Sequence, residues 1–151
     1  MIDQVDISIS AGRGGNGAVS GRREKFVPFG GPDGGDGGDG GAVVLICNPD
    51  VRTLLSFHYK KLFHAGDGGH GTGRDKHGRN GKDIELSVPV GTEVWEKEEQ
   101  GERHLVDITI PGSKTIIAQG GKGGRGNRKF VSSTNQYPLL AEAGEKGEHL
   151  E

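Results

Sequence analysis

Glycine returns at every third position in several stretches of this chain. Gly31, Gly34, Gly37 and Gly40 form one series, Gly120, Gly123 and Gly126 another, with shorter echoes at Gly12 and Gly15 and at Gly66 and Gly69. A period of three fits neither an α-helix nor a β-strand, whose side chains repeat every 3.6 and every 2 residues. It is the period of polyproline II, a left-handed helix with no internal hydrogen bonds. The amides of such a segment must therefore find acceptors in water or on neighbouring chains. Glycine at each turn lets those chains approach closely, as at the collagen axis. With 30 glycines among 151 residues, against a usual share of about 7%, the pattern predicts a bundle of such segments. Flexible linkers are the alternative, but several long structureless loops are uncommon in one compact domain. Collagen itself is excluded, because no Gly-X-Y run exceeds a few triplets.

Between the glycine stretches lie strand signals. Val5, Ile7, Ile9 and Ala11 alternate with Asp6, Ser8 and Ser10, which predicts a half-buried strand. Ala42 to Cys47 is a continuous apolar run, a strand buried on both faces. Ile84 to Val88 alternates again and should stop at Pro89. Thr92–Trp95 and His104–Ile108 flank the turn-like Glu98-Glu99-Gln100-Gly101 and read as a hairpin. Thr115–Ala118 is a last strand, and Thr53–Phe63 fits either a short helix or an irregular strand. The expected class is mainly β: a small β-barrel or sandwich base with a projecting bundle of glycine-rich, polyproline II-like left-handed helices. The length suits one domain, residues 1–151. The single cysteine, Cys47, excludes an internal disulfide and reads as a buried thiol. No apolar run approaches the roughly 20 residues of a membrane span, and the amino terminus does not resemble a signal peptide. The expectation is a soluble, cytoplasmic monomer.

The net charge of −2 hides a segregated distribution. Arg52 to Lys82 holds seven Lys or Arg against two Asp, and Lys114 to Val131 holds five bases and no acid. Glu93 to Asp107 holds six acids against two bases, and Glu142 to Glu151 four against one. Such a chain can present a basic end and an acidic end.

Several motifs fail on their context. Gly12-Arg13-Gly14-Gly15-Asn16-Gly17 fits the dinucleotide fingerprint, yet no helical stripe follows to bring amide groups to a pyrophosphate. The same spacing recurs at Gly35–Gly40, Gly66–Gly71 and Gly121–Gly126, so it carries no information about nucleotides. Pro111-Gly112-Ser113-Lys114-Thr115 has Ser113 where the lysine of a phosphate-binding loop should follow the glycine, and no glycine at position 107. Asp33, Asp36 and Asp39 suggest a calcium repeat but lack its apolar position and tandem copies; they read as hydrogen-bonding or solvated carboxylates. The six histidines show no zinc spacing. No catalytic residue, metal site or resident cofactor is expected in this chain.

Longer stretches carry a resemblance. Arg22-Arg23-Glu24-Lys25-Phe26-Val27-Pro28 runs into Gly30-Gly31-Pro32-Asp33-Gly34-Gly35-Asp36-Gly37-Gly38. Val88-Pro89-Val90-Gly91-Thr92, Gly120-Gly121-Lys122-Gly123-Gly124-Arg125-Gly126-Asn127 and Phe130-Val131-Ser132-Ser133 follow, and Ala141-Glu142-Ala143-Gly144-Glu145-Lys146-Gly147-Glu148 closes the chain. In this order they resemble the amino-terminal glycine-rich domain of the Obg family of ribosome-associated GTPases. The resemblance implies glycine-rich left-handed helices over a small β-barrel, and binding to the large ribosomal subunit and its RNA during ribosome assembly. It implies a GTPase domain in the full-length protein, following this one and absent here, with GTP and Mg²⁺ as its ligands.

On that reading the glycine bundle is a prong, with loops at its far end contacting RNA phosphates through Arg22, Arg23, Lys25, Arg74, Lys76, Arg79, Lys82, Arg125, Arg128 and Lys129. Phe29 and Tyr137 are candidates for base stacking. Gly31, Gly34, Gly37, Gly40, Gly120, Gly123 and Gly126 are the structural glycines. The second expected role is a protein–protein module that docks or regulates the neighbouring GTPase domain, with the acidic hairpin at Glu96, Glu98 and Glu99 as its contact.

Overall fold

A computed structural model of the chain describes residues 4–19, 33–74, 76–126 and 149–150. The elements in chain order are β1 Ser8–Ser10, β2 Val43–Cys47, α1 Ser56–Tyr59, β3 Leu62–His64, β4 Ile84–Val88, β5 Thr92–Glu98, β6 Gly101–Ile108, β7 Lys114–Ala118 and β8 His149–Leu150. The molecule is mainly β, as the alternation and apolar runs predict. β4 ends at Val88, the residue before Pro89, because proline cannot donate to the ladder. Thr53–Phe63 resolves into a single helical turn followed by a short strand. The hairpin ladder runs further than its apolar residues suggest, and the turn shrinks to Glu99 and Gln100.

Among the described residues the strands form three small sheets, in the orders β3-β1-β8, β4-β2-β7 and β5-β6. β1 pairs parallel to β3, with Ser8 opposite Leu62 and Ser10 opposite His64. β2 pairs parallel to β4 and antiparallel to β7. One core joins the sheets: Ile9, Val43, Leu45, Cys47, Leu86, Val88, Ile108 and Ala118 are buried together with Phe57 of α1. Phe57 meets Phe63 edge-to-face at 5.8 Å, which pins the two ends of the α1–β3 connection. The Cys47 thiol is buried in this core, as its apolar run predicts. No helix among the described residues is long and apolar enough to cross a membrane.

Five base strands continue directly into glycine segments: β1 into 12–18, β3 into 66–72 and β7 into 120–126, while 33–41 leads into β2 and 76–82 into β4. The strands thus fix where each glycine segment starts or ends, and the segments together form the prong.

Candidate nucleic-acid interface

The prong is held by backbone hydrogen bonds that recur every third residue. Gly12, Gly15 and Ala18 donate to the carbonyls of Gly41, Gly38 and Gly35. Those same three glycines of the second segment donate onward to Gly66, Gly69 and Thr72 of the third. Gly66, Gly69 and Thr72 donate in turn to Lys82, Arg79 and Lys76 of the fourth. The fifth segment joins through Gly37 to Gly124 and Gly40 to Gly121. The neighbours in each of these sets run antiparallel. A parallel set links the rest: Gly68 and Gly71 donate to Arg13 and Asn16, Gly78 and Gly81 to Asp36 and Asp39, and Gly121 and Gly124 to Gly12 and Gly15. Period three in the sequence is therefore period three in the hydrogen bonding.

Two glycines per triplet are needed where a segment is pressed between two neighbours. A Cβ at Gly12 or Gly15 would fall on the carbonyls of Gly66 and Gly69, and one at Gly14 or Gly17 on those of Lys122 and Arg125. Gly37 and Gly40 face the carbonyls of Gly15 and Gly12 in the same way, and Gly120, Gly123 and Gly126 face those of Gly40, Gly37 and Gly34. The fourfold G-x-G-G-x-G recurrence is thus a packing repeat, one copy for each of four segments. The fourth segment, 76–82, has one glycine per triplet, Gly78 and Gly81, both against the third segment. Its remaining positions face outward.

The non-glycine positions divide by chemistry. Acceptor side chains meet amides that the carbonyls do not serve. Asp36 and Asp39 accept from Gly126 and Gly123 at 2.9 Å. Asp67 and the His70 Nδ1 accept from Arg13 and Asn16 at 2.8 Å. Asn80 and Asp83 accept from Asp39 and Ala42. The carboxylates at 36 and 39 are accordingly hydrogen-bonding groups, and no cluster of metal-binding side chains occurs among the described residues. The Arg13 amide, followed by His64, holds the Asp67 carboxyl below its ordinary pKa against a smaller opposing effect of burial.

The basic positions take the other role. Lys76, Arg79 and Lys82 anchor the fourth segment through their carbonyls and leave their side chains exposed. No ion pair among the described residues engages them or Arg74. Of the carboxylates nearest in sequence, Asp67 and Asp83 are already accepting backbone amides, and Asp75 lies outside the described residues. Arg74 stands at the turn between the third and fourth segments, where Thr72 and Lys76 form an isolated bridge. Its φ of 63° is left-handed, a conformation that costs a side-chain-bearing residue about 1 kcal/mol. Arg125 is exposed on the fifth segment, three residues from Lys122, also exposed, which the charge pattern alone did not single out. Arg22, Arg23, Lys25, Phe29, Gly31, Arg128, Lys129 and Tyr137 lie outside the described residues.

A chain of Ser10, His64 and Asp67, too widely spaced to be read from sequence, also appears. Ser10 Oγ lies 2.7 Å from His64 Nδ1, and His64 Nε2 lies 3.1 Å from Asp67 Oδ1. Relative to a nucleophilic triad the two imidazole nitrogens are exchanged. The imidazole and carboxylate are more than half exposed. The chain ties β1, β3 and the third glycine segment together and acts as a brace where prong meets base.

At the other end of the base stands the acidic hairpin. Arg103 bridges Glu96 and Glu98, while Lys97 reaches across to Asp6 ahead of β1. Because β1 leads away from Asp6 into the prong, the acidic hairpin and the cations of the prong lie at opposite ends of β1.

The sequence profile of the GTP1/OBG family matches residues 2–151. The chain is 53% identical over its whole length to a GTPase Obg of Syntrophobacter fumaroxidans, covering 43% of that protein. It is 56% identical over 146 residues to the GTPase Obg of Heliobacterium modesticaldum, covering 33% of it. Against the GTPase Obg of Persephonella marina it is 50% identical over 148 residues, 43% of that protein. The chain therefore spans well under half the length of these relatives. Matched from residue 2 to its last residue, this chain belongs to the GTP1/OBG family.

Proposed function

We propose that this chain is the ribosome-binding module of an Obg-type GTPase, contacting large-subunit ribosomal RNA through its glycine prong during ribosome assembly. The observation that carries the reading is the column Lys76, Arg79 and Lys82: exposed, on one edge of a braced bundle, and in no ion pair among the described residues. A segment of period three advances about 3.1 Å per residue, so the three cations recur about every 9 Å along a stiff rod. Such a rod matches a phosphate-lined groove by charge and shape rather than by a base code. Arg74 extends the column to the tip, and Arg125 adds a cation on a second segment. The chain itself carries no catalytic step in this proposal. GTP hydrolysis, with GTP and Mg²⁺, belongs to the GTPase domain of the full-length cytoplasmic protein.

The test is co-sedimentation of the chain with purified large and small subunits across a salt series, comparing the parent with Lys76→Gln/Arg79→Gln/Lys82→Gln. The parent should pellet with large subunits, and the triple variant should lower the slope of log affinity against log salt by about two to three. An unchanged slope and affinity would mean that the column is only a solvated face.

The acidic hairpin supports a second role, docking the GTPase domain at the end of the base away from the prong. Glu96 and Glu98 are taken up by Arg103, which leaves Glu99 at the exposed turn as the carboxylate for such a contact.

A further inference from the structure

The connection between α1 and β3 carries a feature that the prong reading does not use. Phe57 and Phe63 are drawn inward, but the residues between them, His58, Tyr59, Lys60, Lys61 and Leu62, are all exposed. Tyr59 is 79% exposed and Leu62 73%, the two most exposed large apolar side chains among the described residues. From Val51 to Gly66 the sequence contains no acid, while Arg52, Lys60 and Lys61 contribute three cations. None of the three is in an ion pair among the described residues. Lys60 lies 5.0 Å over the Phe63 ring, which steadies its stem beside the loop. A rigidly anchored loop that offers an aromatic face flanked by unpaired cations suits a nucleic acid strand, whose bases stack and whose phosphates need charge.

We propose that this loop is a second RNA contact, on the base rather than the prong, with Tyr59 stacking on an unpaired base and Lys60 and Lys61 meeting the flanking phosphates. It rests on the RNA reading of the prong, and adds a separate surface to it. β3 runs parallel to β1 and both lead outward into the prong, so the loop before Leu62 sits at the opposite end of the base. From Lys61 to Thr72 the chain extends roughly 35 Å at about 3.1–3.3 Å per residue. A short oligonucleotide cannot reach from the loop to the Arg74–Lys76 tip; a large folded RNA can, and two linked contacts raise affinity beyond either alone.

The test uses large subunits, a salt series and three variants of the chain whose folding is checked by circular dichroism: Tyr59→Ala, Lys60→Gln/Lys61→Gln, and the prong triple variant. Ultraviolet cross-linking maps what residue 59 touches. Tyr59→Ala should weaken binding roughly ten-fold with an unchanged salt slope. Lys60→Gln/Lys61→Gln should lower the slope by about one to two, and Tyr59 should cross-link to ribosomal RNA. If the loop variants behave as the parent while the prong variant fails, the loop proposal is overturned and the prong reading stands. If only the loop variants fail, the prong reading falls and the loop contact survives. Cross-links from Tyr59 to ribosomal protein alone would overturn the assignment to RNA.

Discussion

Single atoms decide much of this structure. A methyl group at residue 37 would occupy the Gly15 carbonyl, a backbone atom that cannot swing aside. Gly37→Ala should therefore destabilise the chain by about 3 kcal/mol or abolish folding, whereas Lys82→Ala, on an exposed position, should stay within about 0.5 kcal/mol; urea unfolding measures both. Arg74 poses the reverse case, since its left-handed backbone is kept by a residue that pays strain for it. Arg74→Gly should leave stability unchanged or raise it by up to about 1 kcal/mol, while Arg74→Ala keeps the strain. Both should weaken RNA binding if the guanidinium is the reason for the strain; binding equal to the parent would show the arginine is incidental. Asp67 gives a pH dependence with a definite sign. Its folded pKa is depressed, so its contribution is present above the unfolded value and is lost as pH falls from about 4 downward through the folded value. Asp67→Asn still offers an acceptor to the Arg13 amide but cannot ionise. The parent should be slightly the more stable at pH 7, and the gap should close below about pH 4. A gap independent of pH would show that the charge is not what stabilises.

At the scale of elements, legibility followed periodicity. The strands were readable because Ile9, Leu45, Leu86 and their neighbours alternate or cluster as buried strands do. The prong was readable because glycine at every third position excludes helix and strand alike. The single turn of α1 was not, since four residues are too few for a 3.6-residue stripe to declare itself. Nor was the order of segments in the bundle. The copies at Gly12, Gly35, Gly66 and Gly121 share one pattern, so pattern alone cannot pair Gly15 with Gly38 rather than with Gly69. The base strands make that choice by fixing where each segment begins. Among the candidate contacts, the Arg74–Lys82 run was visible as charge. Its lack of ion pairs among the described residues was not, because Asp67 and Asp83 lie either side of the run and only the backbone bonding shows them occupied. Tyr59 and Lys60 carry no such signal, because exposure of a ring between a buried and a partly buried phenylalanine has no sequence period.

At the scale of the whole molecule, prong and base form one mechanical unit. Each of five base strands is covalently continuous with a glycine segment, and every segment is cross-bonded to at least two others. A local opening of one segment would strip amides from its neighbours, so the prong has few independent ways to loosen. Hydrogen exchange tests this directly. The amides of Gly12, Gly15, Gly35, Gly38, Gly41 and Gly69 should exchange far more slowly than an unstructured glycine-rich chain. The slowest of them should share the opening free energy of Val43 and Leu45 in the core, because both await the same global event. Linker-like segments would instead exchange at nearly intrinsic rates while the core stayed protected. That outcome would remove the rigid rod on which a groove-filling contact depends, and the bases at 76, 79 and 82 would then bind RNA only as a flexible polycation. A common protection would mean that the prong arrives at its groove already ordered and owes no further loss of backbone entropy on binding.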